Sequence, residues 1–298
     1  MRYVRRTEPE PCATWSVPVN SRLQAKELLR EVGRATDDRI DLAEAALALA
    51  ALELPDRGLD TYRRHLAELA AEVADMASRA VTLEERVEAL QSVLVNIYGY
   101  HGDSQNYEDM QNANLIRVID RRKGLPVALG ILFIHSARAQ GWDMVGLNFP
   151  GHFLVRLQHD GERAILDPFN QGEVRSVVDL RDLIKQTAGA AAELTPEHYQ
   201  PVSNRDILLR LQNNIKLRHL REERVDKAAE TVEAMLLFAP EQPALWREAG
   251  LLNAHLGNIG AAIQAFETFM DQGARQGASA QLLHQTATLV QQLKNRLN

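Results

Sequence analysis

The residues of this chain best suited by type and spacing to act together are His152 and Asp167. Between them lies His159-Asp160-Gly161-Glu162, whose Asp-Gly pair signals a two-residue hairpin turn. With the turn there, His159 pairs with Glu162 and Leu154 with Asp167. His152 then shares a face with Asp167 as a diagonal cross-strand neighbour, roughly 7–8 Å away at the backbone and within side-chain reach. A carboxylate on one imidazole nitrogen fixes the tautomer and raises the basicity of the ring. Such a pair is two members of a nucleophile–His–Asp triad, or a general base for a water with its orienting acid. The same two residues also read as a structural hydrogen bond, with Pro150-Gly151 and Pro168 as turn chemistry.

A hairpin pair needs a scaffold. Residues 1–20 carry Pro9, Pro11 and Pro18 without periodicity and read as an extended arm. Helices are predicted over 23–32, over 40–54 (ended by Pro55, which cannot continue the helical hydrogen bonding), and over 59–80, with Leu66, Leu69, Val73 and Met76 at helical spacing. A Thr82/Glu85 capping box opens a fourth over 83–97. Residues 98–113, rich in Gly, His, Asp and Asn, predict a loop. A short helix over 114–122 and the turn Gly124-Leu125-Pro126 lead into an apolar helix over 127–140, whose small residues imply burial on several sides. Strands follow at 144–149, 152–158 and 164–166, then a helix near 180–186. Residues 21–203 thus read as a helix-rich α+β domain with a small antiparallel sheet.

Residues 204–298 read as all-α. Trp246, Gly250, Gly257, Ala262 and Phe266 fit one tetratricopeptide frame, and Ala228, Val232 and Pro240 fit an earlier copy at the ~34-residue period. An amphipathic helix over 280–297 would cap the last hairpin. On its first helix, Asn213, Asn214 and Lys216 are candidates for a groove that holds a protein or peptide partner.

Several motifs together resemble the bacterial invasion-regulator B family. They are Asn106-Tyr107-Glu108-Asp109, Asn112-Ala113-Asn114-Leu115, Arg121-Arg122-Lys123-Gly124-Leu125-Pro126, Phe149-Pro150-Gly151-His152-Phe153-Leu154-Val155-Arg156 and Leu166-Asp167-Pro168-Phe169-Asn170. The resemblance covers roughly residues 36–275, with Met110 and Ala113 standing where the family pattern has proline and serine. It implies a transglutaminase-like, papain-like core joined to tetratricopeptide repeats. The nucleophile is then expected at a helix start, and His152 and Asp167 fall at the catalytic histidine and aspartate positions. Asn106, Tyr107, Pro126, Gly151 and Asn170 become candidates for lining the cleft.

Against catalysis stands the helix start itself. A thiol there would gain from the helix dipole and a neighbouring His⁺, but Gly124-Leu125-Pro126-Val127-Ala128 holds no nucleophile. Ser136 is roughly 12 Å along the axis from Ala128, and the one cysteine, Cys12, sits in the proline-rich arm. The reading preferred from sequence is a non-catalytic binding or regulatory protein with a degenerate cleft for a peptide or small polar ligand. The alternatives are a hydrolase or transferase using His152 as base oriented by Asp167, and a scaffold in which the pair is structural.

The remaining features set bounds. A net charge of −6 with mixed signs gives no footprint for nucleic acid. No apolar run suits a membrane span, and a single cysteine forms no internal disulfide, so a cytoplasmic setting is expected. His101-Gly102-Asp103 lacks the further ligands a metal needs, and no metal or cofactor is expected. His135 on its apolar helix reads as a satisfied core residue. Arg121-Arg122-Lys123 could hold an anion but suits a helix C-terminus in any case.

Overall fold

The computed structural model describes residues 21–297; the expected arm and Cys12 lie outside the described residues. Helix α1 (Ser21–Arg34) packs on α2 (Leu42–Glu53), an alanine–leucine helix buried from Leu42 to Ala51 and capped by the Asp41 side chain. Helix α3 (Asp60–Met76) buries Tyr62, Leu66, Leu69 and Val73. Met76, expected on that face, is 50% exposed, because the helix stops there and leaves it in solvent. The capping box of Thr82 and Glu85 opens α4 (Leu83–Leu90). The single helix expected to Ile97 instead widens into π-type turns over Gln91–Ile97.

The expected loop over 98–113 contains a short strand, β1 (His101–Gly102), and a 3-10 turn, Met110–Ala113. After α5 (Leu115–Arg121), β2 (Lys123–Gly124) pairs with β1 in parallel. Two of the loop's polar residues, Asp103 and Asn112, are buried as internal ligatures, while Ser104 to Glu108 are exposed. The buried Asp103 carboxylate accepts from the Asn106 amide (3.1 Å) and Arg121 Nη2 (2.8 Å), and Asn112 Nδ2 donates to the Asn106 carbonyl (2.8 Å). Buried polar groups must find such partners.

Helix α6 (Pro126–Arg138) starts with proline at its first position, where the missing N–H costs nothing. It is buried along nearly its whole length and forms the centre of the domain. Gly130 on α6 leaves the space that the Phe153 ring fills. Against it lies an antiparallel sheet in the order β3 (Asp143–Gly146), β4 (Val155–His159), β5 (Glu162–Asp167), β6 (Glu173–Val174). Asp160 (φ 49°) and Gly161 (φ 83°) make a turn with both central residues left-handed, as a tight hairpin requires. The register pairs His159 with Glu162 and Val155 with Leu166, as the sequence implied. The strands expected at 144–149 and 152–158 are shorter. The Leu147 amide still bonds the Leu154 carbonyl (2.9 Å), but between them Gly151 takes φ 69° and the chain leaves the ladder as a loop. Helix α7 (Val177–Ala188) follows, capped by Ser176.

Five helices complete the chain: α8 (Asn204–Arg221), α9 (Val225–Phe238), α10 (Pro243–His255), α11 (Ile259–Arg275) and α12 (Ala280–Leu297). The tetratricopeptide packing is as expected. Gly250 gives room to the Phe266 ring, Gly257 (φ 79°) turns between α10 and α11, and Trp246 Nε1 donates to the Pro240 carbonyl (2.8 Å). Val290 and Leu293 of α12 close over Ala262 and Phe266. Helix α8 is not a separate body. Its Ile207, Leu208, Leu211 and Ile215 lie in the same buried core as α2, α6 and the sheet, and Asp37 caps its first turn by accepting from the Asn204 and Arg205 amides.

Candidate functional site

His152 sits on the loop between β3 and β4, one residue past the left-handed Gly151. A side chain at Gly151 would meet the left-handed strain and Thr187 of α7 together, so glycine sets the approach of the loop. Although His152 has left the strand, its Nε2 lies 2.8 Å from Asp167 Oδ1 at the end of β5. Asp167 is fully buried and His152 is 13% exposed at its side chain.

The carboxylate is saturated with donors. Oδ1 also accepts from the Asn170 amide (3.2 Å), and Oδ2 accepts from Asn170 Nδ2 (2.8 Å) and from Arg175 Nε (3.1 Å) and Nη2 (2.8 Å). Burial alone would raise this carboxyl. The hydrogen bond and charge of His152, then the bonds from Asn170 and Arg175, outweigh it and hold the group at about 2. An ionised Asp167 accepts from the Nε2–H of His152, so the neutral ring carries its lone pair on Nδ1, to which no described residue bonds.

Phe169 joins this pair to the opposite loop. Its ring stands edge-on to His152 (6.1 Å) and to Tyr107 (5.7 Å), and it lies against Gly102, where a Cβ would collide with it. Tyr107 is 38% exposed, and burial of its hydroxyl end raises its pKa. Helix α8 closes the far side: Arg210 Nη2 donates to the carbonyls of His152 (2.6 Å) and Phe149 (3.1 Å), and Arg218 Nη2 donates to that of Tyr107 (2.9 Å).

The expected cleft residues divide accordingly. His152, Asp167, Asn170 and Tyr107 come together, with Gly151 beside them. Asn106 turns its loop through backbone bonds to Asp103 and Asn112 and is itself exposed. Pro126 is buried at the start of α6, and no described contact joins it to His152. The partner-groove candidates are placed differently from the sequence reading. Lys216 is 7% exposed and turned inward, its Nζ 2.7 Å from Glu248 of α10, because a buried ammonium needs a counter-charge. Asn214 bonds the Arg210 carbonyl and accepts from Arg218, so it braces the helix; Asn213 is half-buried.

Sequence reasoning missed Arg175, Arg210 and Arg218. For Arg175 a signal existed: Gly172 closes a turn (φ 69°) that returns the chain to Asp167. For Arg210 and Arg218 the signal was their spacing around Asn214 at one-turn intervals on one helix.

Elsewhere, His135 is half-buried, its Nε2 3.2 Å from the Leu66 carbonyl. Arg121 is consumed by Asp103 and Asn112, and Arg122 by Tyr100 and His65, with His65 pushed down to about 4 by burial and by that arginine. Among the described residues no group of three or more His, Cys, Asp or Glu is arranged to hold a metal, and no helix is long and apolar enough to cross a membrane. A cavity of about 600 Å³ lies between α1, α2, α5, α8 and α9, walled by Leu49, Glu53, Arg117 and Lys227 among others, and does not include His152.

Comparison with known proteins agrees with this architecture. The family model of the transglutaminase-like superfamily matches residues 60–213 and a tetratricopeptide-repeat model matches 215–293. A UPF0162 protein of Vibrio cholerae is 34% identical over 235 residues, 78% of this chain and 87% of the relative. Protein SirB1 of Salmonella typhimurium is 26% identical over 196 residues, 65% of this chain and 72% of the relative. Among solved structures, the crystal structure of menin that reveals its binding site for Mixed Lineage Leukemia protein aligns at a TM-score of 0.37 with 10% identity, over 86% of this chain and 71% of that one, too slight a likeness to argue from. With both domains matched and the motifs around His152 and Asp167 in place, the chain belongs to the invasion-regulator B family of transglutaminase-like proteins with tetratricopeptide repeats.

Proposed function

We propose that the chain is a binding and regulatory protein in which the His152–Asp167 cleft recognises a peptide or small polar ligand and the tetratricopeptide helices dock a protein partner. The observation that carries this reading is a His–Asp pair whose carboxylate is fully clamped, in a chain whose α6 start holds no attacking atom. Gly124 to Ala128 are all buried and none has a side-chain oxygen or sulfur. Ser136 is fully buried two turns farther along α6. The groups around the pair are an imidazole with a free acceptor, two aromatic rings and backbone carbonyls fixed by arginines, which suits hydrogen bonding and stacking with a polar ligand.

Protein docking on the repeats is supported by Leu217 and Leu251, 49% and 41% exposed. They lie one ~34-residue period apart, at equivalent places on α8 and α10.

The second reading is a hydrolase or transferase of altered mechanism. It draws on the free Nδ1 of His152, which with Asp167 behind it has the arrangement of a general base for a water.

The test is quantitative affinity capture from a native lysate with full-length wild type, His152→Ala and the double substitution Leu217→Glu/Leu251→Glu. A partner lost with the leucine change and a separate species lost with His152→Ala would support both halves of the proposal. Retention of every captured species by both variants would refute it. A chemically altered species produced by wild type and not by His152→Ala would favour the enzymatic reading.

A further inference from the structure

The geometry points to α8, the first tetratricopeptide helix, as a built-in part of the cleft: we propose that Arg210 is a positioning residue for His152, so that the orientation of the imidazole is coupled to the seating of the repeats. The coupling gives regulation to the same cleft and rests on the binding reading above for its biological consequence.

Arg210 is the central observation. Its guanidinium is half-buried and forms no ion pair with a described residue. What holds it is the pair of carbonyls at Phe149 and His152 and the face of Phe153, 5.4 Å from its Cζ. A partly desolvated cation without a counter-charge is costly, and here it acts only on the loop that carries His152. That loop is otherwise free of the β-ladder from Asn148 to Phe153, apart from the short turn bond of Phe149 and the bond of Asn148 to Gln200. Beside the buried rings of Phe149 and Phe153 and the His152–Asp167 bond, Arg210 is therefore the polar tie between the loop and α8.

Arg218 does the same for the other wall. Its Nε and Nη2 donate to the carbonyls of Glu108 and Tyr107, both at 2.9 Å, and its side chain is 6% exposed. Asn214 links the two arginines, donating to the Arg210 carbonyl and accepting from Arg218 Nη1. The contacts close a circuit: Arg210, His152, Phe169, Tyr107, Arg218 and back along α8. Helix α8 is in turn tied to α10 by Lys216 and Glu248. A partner that reseats α8 against α10 thus moves both walls of the cleft, and a ligand that spreads the walls moves α8.

The test uses the full chain and no ligand. The imidazole titration of His152 is followed by NMR in wild type, Arg210→Met and Arg210→Lys, with the His152 signal assigned by its loss in His152→Asn. Arg210→Met is expected to move the His152 midpoint by about half a pH unit or more, with the other histidines unchanged and the far-ultraviolet circular dichroism preserved. Arg210→Lys, which keeps one donor and the charge, is expected to restore part of the wild-type position. Superimposable His152 titrations in folded wild type and Arg210→Met would overturn the proposal. If Arg210→Met does not fold, the Lys variant decides: a midpoint equal to wild type in a helix lacking the planar fork overturns it, and a shift supports it. The binding reading fails separately, through retention of all captured species by His152→Ala.

Discussion

Arg175 lies across one edge of Asp167, with Nε and Nη2 at 3.1 and 2.8 Å from the same Oδ2, and so leaves Oδ1 to His152. The arginine compensates a carboxylate that is wholly buried, while its own side chain is 19% exposed. Removing one partner of such a pair leaves a buried charge, which typically costs about 3–5 kcal/mol. Arg175→Met is expected to lose stability on that scale in urea denaturation. Arg175→Lys should recover only part of it, since an ammonium cannot supply both donors in one plane. A loss in Arg175→Met below about 1 kcal/mol would mean that the pair behaves as a surface contact.

Gly102 and Phe169 make a second coupled pair. The Gly102 amide donates to the Phe169 carbonyl (2.9 Å), and the ring occupies the space of the absent Cβ. Gly102→Ala is expected to destabilise by about 1–3 kcal/mol through overpacking. In a Phe169→Leu background the smaller side chain relieves the collision, so the double variant should be more stable than the sum of the singles by about 0.5 kcal/mol or more. Additive losses would show that the ring does not press on Gly102. Because Phe169 also touches His152 and Tyr107, the Gly102→Ala variant should broaden the His152 resonance as well.

How far the sequence revealed this site depends on the kind of signal. The hairpin was legible because Asp160-Gly161 admits few turns and a register then follows for every residue on both strands. The helix start at Thr82 was legible from its capping box, and that of α6 from the Gly124-Leu125-Pro126 turn before an apolar run. That His152 itself stands off the ladder was not, since Leu147, Phe149 and Phe153 are as apolar as a strand and Pro150-Gly151 reads equally as a tight turn between two longer strands. The Asp103–Arg121–Asn112 network was not legible either, because polar composition does not distinguish solvent from internal partners. The roles of Arg210 and Arg218 depend on where α8 docks, and helical periodicity gives a buried face without naming what buries it.

The shared core predicts that the N-terminal part does not stand alone. A chain ending at Ser203 would lose Ile207, Leu208, Leu211 and Ile215, all 3% exposed or less in the full protein. At about 1.5–3 kcal/mol for each side chain, the loss is roughly 6–12 kcal/mol as an upper estimate, comparable with the whole stability of a typical domain. Residues 21–203 alone are therefore expected to show helical far-ultraviolet signal, weak near-ultraviolet signal and strong binding of an apolar dye. A sharp, cooperative thermal transition of that fragment, matching the full chain, would contradict the fused core. The same reasoning favours point substitutions on α8 and α10 over truncation for separating the repeats from the cleft.

The acid behaviour of Asp167 gives the last prediction. Its folded value is about 2 against an ordinary 3.8. A lowered value means that the folded state favours the ionised form, so this contribution is fully present above about pH 4. It is lost as the pH falls through the window from about 4 to about 2, where the folded carboxylate at last takes up its proton. At 1.36 kcal/mol for each unit of difference, the contribution is about 2 kcal/mol. Asp167→Asn has no carboxyl to titrate. It is expected to be less stable than wild type at neutral pH and to lose about 2 kcal/mol less than wild type on going from pH 5 to pH 2. Urea midpoints at a series of pH values would measure both limbs, and the difference between them isolates Asp167 from other carboxylates such as Asp103, which is lowered in both proteins. Parallel limbs for the two proteins would mean that the donors from His152, Asn170 and Arg175 do no more than repay the burial of the charge.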